Sequence, residues 1–199
     1  MKPVMFFKSF IFLLILSQLL SCSNESGIIL TPKPGPEPRI NGAKIFGVRP
    51  GSPFMFKIPS TGERPMRYEV LDLPSGLVCN ENTGYITGVI NEAGTYKTTF
   101  KVTNSSGTAE REFRIVCGDQ LALTPHMGWN SWYVWENHVT DSIMRAAADA
   151  MVSSGMIDHG YMYVNIDDCW AVKPGASDPA LAGEPRDANG MVNSNNRFP

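Results

Sequence analysis

Tyr161-Met162-Tyr163-Val164-Asn165-Ile166-Asp167-Asp168-Cys169-Trp170 is a short apolar run that stops in two adjacent acids. Near-continuous apolarity, without alternation, is the pattern of a strand covered on both faces in a parallel sheet. Burying two carboxylates at its end is costly unless they are hydrogen-bonded or paired. On a regular strand they would point to opposite faces, but where the strand runs out into a loop both can turn toward one ligand. From the residues alone, the pair reads equally well as structural, capping backbone N–H groups. In a (β/α)₈ barrel the C-terminal strand edge is the active-site rim. Carboxylates beside Trp suit a sugar there, since acids accept hydroxyl hydrogen bonds while an indole covers the apolar ring face.

The residues upstream complete a β/α unit. Leu123 to Trp132 reads as a short buried strand ending in aromatic residues. Thr140 or Asp141 is suited to cap a following helix. Met144, Ala147, Ala148, Met151 and Val152 then recur at the spacing of one apolar helical face, and Gly155 stops it. A turn at Asp158-His159-Gly160 leads into the strand from Tyr161 to Ile166. Strand, helix and strand in this span predict a parallel pair with a crossover helix.

Thr124-Pro125-His126-Met127-Gly128-Trp129-Asn130-Ser131-Trp132, together with Tyr163 to Trp170, resembles the opening of glycoside hydrolase family 27, the α-galactosidase family. Arg186-Asp187-Ala188-Asn189-Gly190 and Arg197-Phe198-Pro199 also follow its pattern. The resemblance implies that Trp132 forms an apolar wall for galactose. It implies that Asp167 and Asp168 bind sugar hydroxyls, including the axial O4 and O6, as substrate-binding and not catalytic groups. Many animal members bridge the cysteine matching Cys169 to one in the loop after the first strand; Tyr133 to Val139 contains none. The implied activity is hydrolysis of terminal α-galactosyl residues of oligo- or polysaccharides with retention, without cofactor. A relative acting as an α-N-acetylgalactosaminidase or β-L-arabinopyranosidase is the alternative within the family. A non-catalytic surface glycan-binding lipoprotein is the alternative outside it.

A (β/α)₈ barrel takes about 250 residues, so residues 119–199 are expected to be its incomplete first β/α units. Retaining glycosidases need two carboxylates about 5–5.5 Å apart across the scissile bond, which neighbours on one strand end cannot supply. In the resembling family both catalytic acids are Asp on later strands. No catalytic residue is therefore expected in this chain, which is expected to be inactive alone. A metal site is not expected either. His126, His138 and His159 lack ligand spacing, and Cys169 beside two acids mixes soft and hard donors.

Residues 39–118 carry a different period. Phe54, Phe56 and Ile58 share one face; so do Met66, Tyr68 and Val70; Tyr96, Thr98, Phe100 and Val102; and Phe113, Ile115 and Cys117. Strands alternating this way between Gly, Pro and Asn turns predict an antiparallel β-sandwich. With Thr83-Gly84-Tyr85-Ile86-Thr87-Gly88 and Ala93-Gly94-Thr95-Tyr96, the segment resembles the Ig-like module appended to bacterial secreted enzymes. It lacks the core Trp between its two Cys that antibody-type domains carry. Cys79 and Cys117 both fall on inward positions, and either a bridge or two buried thiols fits the alternation. The segment has no His and no clustered carboxylates, which leaves it a spacer or weak carbohydrate-contact role.

The N-terminus reads as an address. Lys2 and Lys8 precede an apolar run from Phe10 to Leu16, and Leu19-Leu20-Ser21-Cys22 before polar Ser23-Asn24-Glu25-Ser26 resembles a bacterial lipobox. That resemblance implies cleavage after residue 21, diacylglycerol on the Cys22 thiol and lasting membrane attachment. Residues 22–38, with Pro32, Pro34, Pro36 and Pro38 at every second position, read as a semi-rigid tether. The expected chain is thus multi-domain: signal 1–21, tether 22–38, Ig-like sandwich 39–118 and truncated TIM-barrel segment 119–199. Its expected place is outside the cytoplasm, anchored at the bacterial cell envelope, at the outer membrane or periplasm. Expected partners are the membrane and an α-galactoside-containing glycan. The 199 residues are 43% hydrophobic with formal net charge −2, which excludes a disordered chain and an electrostatic footprint for nucleic acid. Losing two Lys and no acid with the leader takes that charge to −4.

Overall fold

The computed structural model describes residues 33–198. The expected signal 1–21 and the expected lipidation residue Cys22 lie outside the described residues, as does the part of the expected tether before Lys33.

Nine strands build the first module: β1 (Arg39–Ile40), β2 (Ile45–Val48), β3 (Pro53–Lys57), β4 (Ser60–Thr61), β5 (Arg67–Leu71), β6 (Leu77–Cys79), β7 (Tyr85–Val89), β8 (Gly94–Asn104) and β9 (Gly107–Cys117). A four-stranded sheet in the order β2-β9-β8-β5 is accompanied by a three-stranded sheet, β3-β7-β6, and by the short β1–β4 pair. All pairs are antiparallel except β2 with β9, which runs parallel from Ile45↔Arg114 to Val48↔Cys117.

The β8–β9 hairpin sets the register. Asn104 Oδ1 accepts the amides of Ser106 (2.9 Å) and Gly107 (3.1 Å), a side-chain-closed turn that fixes Asn104 opposite Gly107. Counting back two residues at a time from that closure points Val102, Phe100 and Thr98 inward, opposite Ala109, Arg111 and Phe113. Phe100 and Phe113 stack with centroids 4.3 Å apart, and Phe56 from the second sheet meets Phe113 at 4.8 Å. Ile58, Ile86 and Ile115 complete a core closed to solvent. Thr98, the polar residue on that face, donates its hydroxyl to the Phe113 carbonyl at 3.3 Å. Cys79 and Cys117 are free thiols, Cys117 buried with its Sγ 3.7 Å from the Ile90 carbonyl. The Pro-rich stretch joins this module by Pro36, whose carbonyl accepts the Glu63 amide (3.0 Å) and Asn104 Nδ2 (2.7 Å).

The second segment is a β/α unit. The connector leaves β9 with the Gly118 amide on the Val48 carbonyl at 2.8 Å, and it runs over β2. A Cβ on Gly47 would lie 2.5 Å from the Gln120 carbonyl oxygen. That course explains why the first strand is shorter than the Leu123–Trp132 reading: β10 is Gly128–Asn130, because the residues before it lie along the sandwich. Helix α1 (Trp132–Trp135) and a 3₁₀ turn (Glu136–His138) lead to α2 (Asp141–Ser153). Thr140 is the cap, its Oγ1 accepting the Ile143 amide at 3.3 Å. Met144 and Met151 are buried, whereas Ala148 is exposed and Val152 is 58% exposed, so the packed stripe is narrower than the apolar periodicity. A 3₁₀ turn (Met156–His159) then delivers β11 (Tyr163–Asn165), parallel to β10 in the register Gly128↔Tyr163, Trp129↔Val164, Asn130↔Asn165.

Truncating Phe113 to Ala removes the ring shared by both sheets. A loss of about 3–5 kcal/mol is expected in urea unfolding; a loss below about 1 kcal/mol would contradict this packing.

Candidate sugar-binding site

The C-terminal ends of β10 and β11 are stitched together by side chains. Asn130 is the central residue: its Oδ1 accepts the Trp132 amide at 2.9 Å, and its Nδ2 donates to Asp167 Oδ2 at 2.9 Å. One side chain thus orients the start of the Trp132 helix and the first carboxylate. Beneath it, the Ser131 amide donates to the Asn165 carbonyl and the Ser131 hydroxyl accepts the Asp167 amide, both at 3.1 Å. Ser131 is buried. Asn165 Nδ2 donates to the Trp129 carbonyl at 3.1 Å.

The expected site residues therefore sit as follows. Trp132 and Asp167 are brought together through Asn130, with the indole 40% exposed and the carboxylate exposed. Asp168 is exposed and accepts the Cys169 amide on Oδ1 at 2.6 Å. Among the described residues, no hydrogen bond links it to Asp167 or Trp132, and none occupies its Oδ2. Cys169 adopts φ 69°, a left-handed conformation that a residue with a Cβ holds only where its surroundings enforce it.

The enforcing group is Asn195, which sequence reasoning missed. It is only 2% exposed in an otherwise open segment. Its Nδ2 donates to the carbonyls of Cys169 (2.8 Å) and Ala171 (3.0 Å), its amide donates to the Trp170 carbonyl (2.9 Å), and its Oδ1 accepts the Arg197 amide (3.0 Å). Three successive carbonyls after the acid pair are held by one residue. Asn193-Ser194-Asn195-Asn196 announces a polar loop, but nothing in that run distinguishes the buried Asn from its neighbours. Asn130 and Ser131 lay inside the quoted motif, without a signal for their roles.

His126 meets the Tyr163 ring edge-on at 4.3 Å, while His138 and His159 lie in the two 3₁₀ turns. Burial pushes the Tyr163 phenol up. Among the described residues, no group of three His, Cys, Asp or Glu side chains is placed to hold a metal ion. An apolar hollow of ≈ 690 Å³ lies on the helix side, lined by Trp129, Trp135, Ile143, Ala147 and Met151 among others. It has no carboxylate, whereas a sugar with a hydroxyl on most carbons needs polar lining, which the strand end with its acids and indoles supplies.

An Ig-like sandwich is thus joined to a β/α unit that carries carboxylates and indoles at its strand end. Residues 37–118 match the family described as "Putative Ig domain", and residues 124–196 match "Alpha galactosidase A". The chain is similar to alpha-galactosidase A of Cellvibrio japonicus, with 48% identity over 82 residues, 41% of this chain and 17% of that protein. It is 46% identical over 67 residues to an alpha-galactosidase of Coffea arabica, covering 34% of this chain and 18% of that one. A solved structure of a putative alpha-galactosidase from Bacteroides fragilis superposes with TM-score 0.70 and 40% identity, covering 86% of this chain and 34% of that one. A second from the same organism, a putative alpha-galactosidase/melibiase, gives 0.68 and 42%, covering 80% and 32%. The chain thus spans about a third of these structures and less than a fifth of these curated relatives. The 86% coverage exceeds what either segment supplies alone, so both modules superpose together. The chain carries an Ig-like module followed by a segment similar to the start of alpha-galactosidases.

Asn195→Ala strands two carbonyls without donors. A loss of about 1–3 kcal/mol in stability is expected, with faster exchange of the Val172 amide, which donates to the Asn193 carbonyl in the same loop; unchanged exchange there would remove Asn195 from the site's support.

Proposed function

We propose that residues 119–199 form the substrate-binding start of an α-galactosidase (β/α)₈ barrel, and that the protein carrying them removes terminal α-galactosyl residues from oligo- or polysaccharides with retention. The observation that carries this reading is the Asn130 bridge, which fixes Trp132 and Asp167 at one strand end beside Asp168. In this role Trp132 covers the apolar face of the sugar, and Asp167 and Asp168 accept its hydroxyl hydrogen bonds. Charge-assisted bonds of that kind are about twice as strong as neutral ones. A site built to receive hydroxyls also rejects sugars that lack them, because its acceptors are then left unpaired.

Cleavage with retention needs a nucleophile and an acid/base on opposite sides of the scissile bond. Asp167 and Asp168, consecutive at one strand end, bind and do not flank. Residues 1–199 by themselves are therefore assigned binding contacts and no turnover, and the flanking acids are assigned to another part of the folded enzyme. The chemistry is acid–base and nucleophilic catalysis by carboxylates, which uses no cofactor. We assign residues 1–21 to an export signal, Cys22 to lipidation, the stretch from 22 to the Pro36 contact to a tether and the residues from there to 118 to the Ig-like module, at the bacterial cell envelope.

In the whole protein, Asp168→Asn is expected to lower kcat/KM on a chromogenic α-galactoside by about 10- to 100-fold with unchanged unfolding. An unchanged value would return the acid pair to backbone capping. Comparison with α-N-acetylgalactosaminide and β-L-arabinopyranoside substrates selects among the related activities. Galactoside binding without turnover of any of them would make the whole protein a surface glycan-binding lipoprotein.

Metabolic labelling with a palmitate analogue is expected to mark the wild-type chain and not Cys22→Ala. Equal labelling of both would remove the anchor.

A further inference from the structure

The turn that precedes β11 is seized by the Ig-like sandwich. Asp158 accepts Lys57 Nζ on Oδ1 at 3.2 Å and Arg64 Nη2 on Oδ2 at 2.8 Å, and its backbone carbonyl accepts Asn41 Nδ2 at 2.9 Å. The three donors come from three places in the sandwich: the β1–β2 loop, the end of β3 and the β4–β5 loop. The Lys57 side chain is 12% exposed and that of Asp158 26%, so this pair is less screened than a surface ion pair.

Two of the three donors are themselves held by further bonds. Arg64 Nη1 donates to the Tyr68 hydroxyl at 2.9 Å, and that hydroxyl shares a buried hydrogen bond with Ser60 Oγ at 2.9 Å. Asn41 Nδ2 also reaches Thr61 Oγ1 at 3.1 Å. Arg111, on β9, donates to the carbonyls of Ile40 (3.0 Å), Gly42 (3.3 Å) and Ala43 (2.9 Å), which shapes the loop that faces the turn. There two glycines meet: a Cβ on Gly160, at φ 100°, would lie 2.6 Å from Gly42 Cα. Met162 packs onto the sandwich core, so the contact is apolar as well as ionic.

We propose that Asp158 is the latch by which the sandwich grips the β/α segment, so that the two modules open as one body and the sandwich is a fixed mount, not a bead on a linker. The grip lies before β11 and the acid pair lies after it. About seven residues, on the order of 20 Å of extended chain, separate Gly160 from Asp167. The sandwich therefore holds the strand pair from the end opposite the sugar site. This holds whatever sugar the site takes, and its test uses no substrate.

The test is amide hydrogen exchange on the full chain in a double-mutant cycle of Lys57→Met and Asp158→Asn. In wild type, the amides of β11 are expected to share the protection of β8 and β9. In either single variant, β11 protection is expected to fall roughly tenfold while β8 and β9 keep theirs, and the double variant is expected to fall no further than the singles. Lys57→Met reads the same contact from the sandwich side should Asp158→Asn disturb its own turn. Three results would overturn the latch: β11 exchanging freely in wild type, additive effects in the double variant, or equal loss of protection in both modules.

Discussion

Gly128 faces the carbonyl of Tyr163 so closely that a Cβ would sit 2.1 Å from its oxygen. This approach is what allows β10 and β11 to pair in parallel, and the site follows from it. The register places Asn130 beside Asn165. From there Asn130 reaches forward to Asp167 and Ser131 closes on the Asn165 carbonyl. A residue with a side chain at position 128 would separate the strands, and the Trp132 helix would lose its common support with the acid pair.

Support for the strand pair comes from two directions. Asn195 holds the chain after the acids by three successive carbonyls, and the Asp158 turn holds the chain before β11 against the sandwich. Two short strands with one crossover helix form too small a sheet to be independently stable. Their order here is tied to the larger core beside them, where Phe56, Phe100 and Phe113 bring both sheets together.

The Ig-like module is consequently more than a length of spacer in this chain. Its inward faces make its own core, but its loops carry the cations and amides that meet Asp158. The superposition over 86% of the chain on a Bacteroides fragilis structure spans both modules, as expected for parts with a fixed contact.

How much was legible in the sequence depends on the range of the interactions involved. Alternation placed Phe54, Phe56, Phe100, Phe113 and Ile115 on inward faces, because a strand's side-chain period is local and independent of its partners. The Thr140 cap, the α2 helix and a strand just before the acid pair were legible for the same reason, though that strand is Tyr163–Asn165, shorter than the Tyr161–Ile166 reading. Asp167 and Asp168 stood out as adjacent acids at a strand end, and Trp132 was marked through the family resemblance alone. The course of Gln120 and Leu121 over β2, the exposure of Val152, the burial of Asn195 and the grip on Asp158 were not legible. Each is fixed by residues distant in the chain: 26 positions separate Asn195 from Cys169, and 101 separate Lys57 from Asp158. A periodic pattern says which way a side chain points; only the packed chain decides what it meets there.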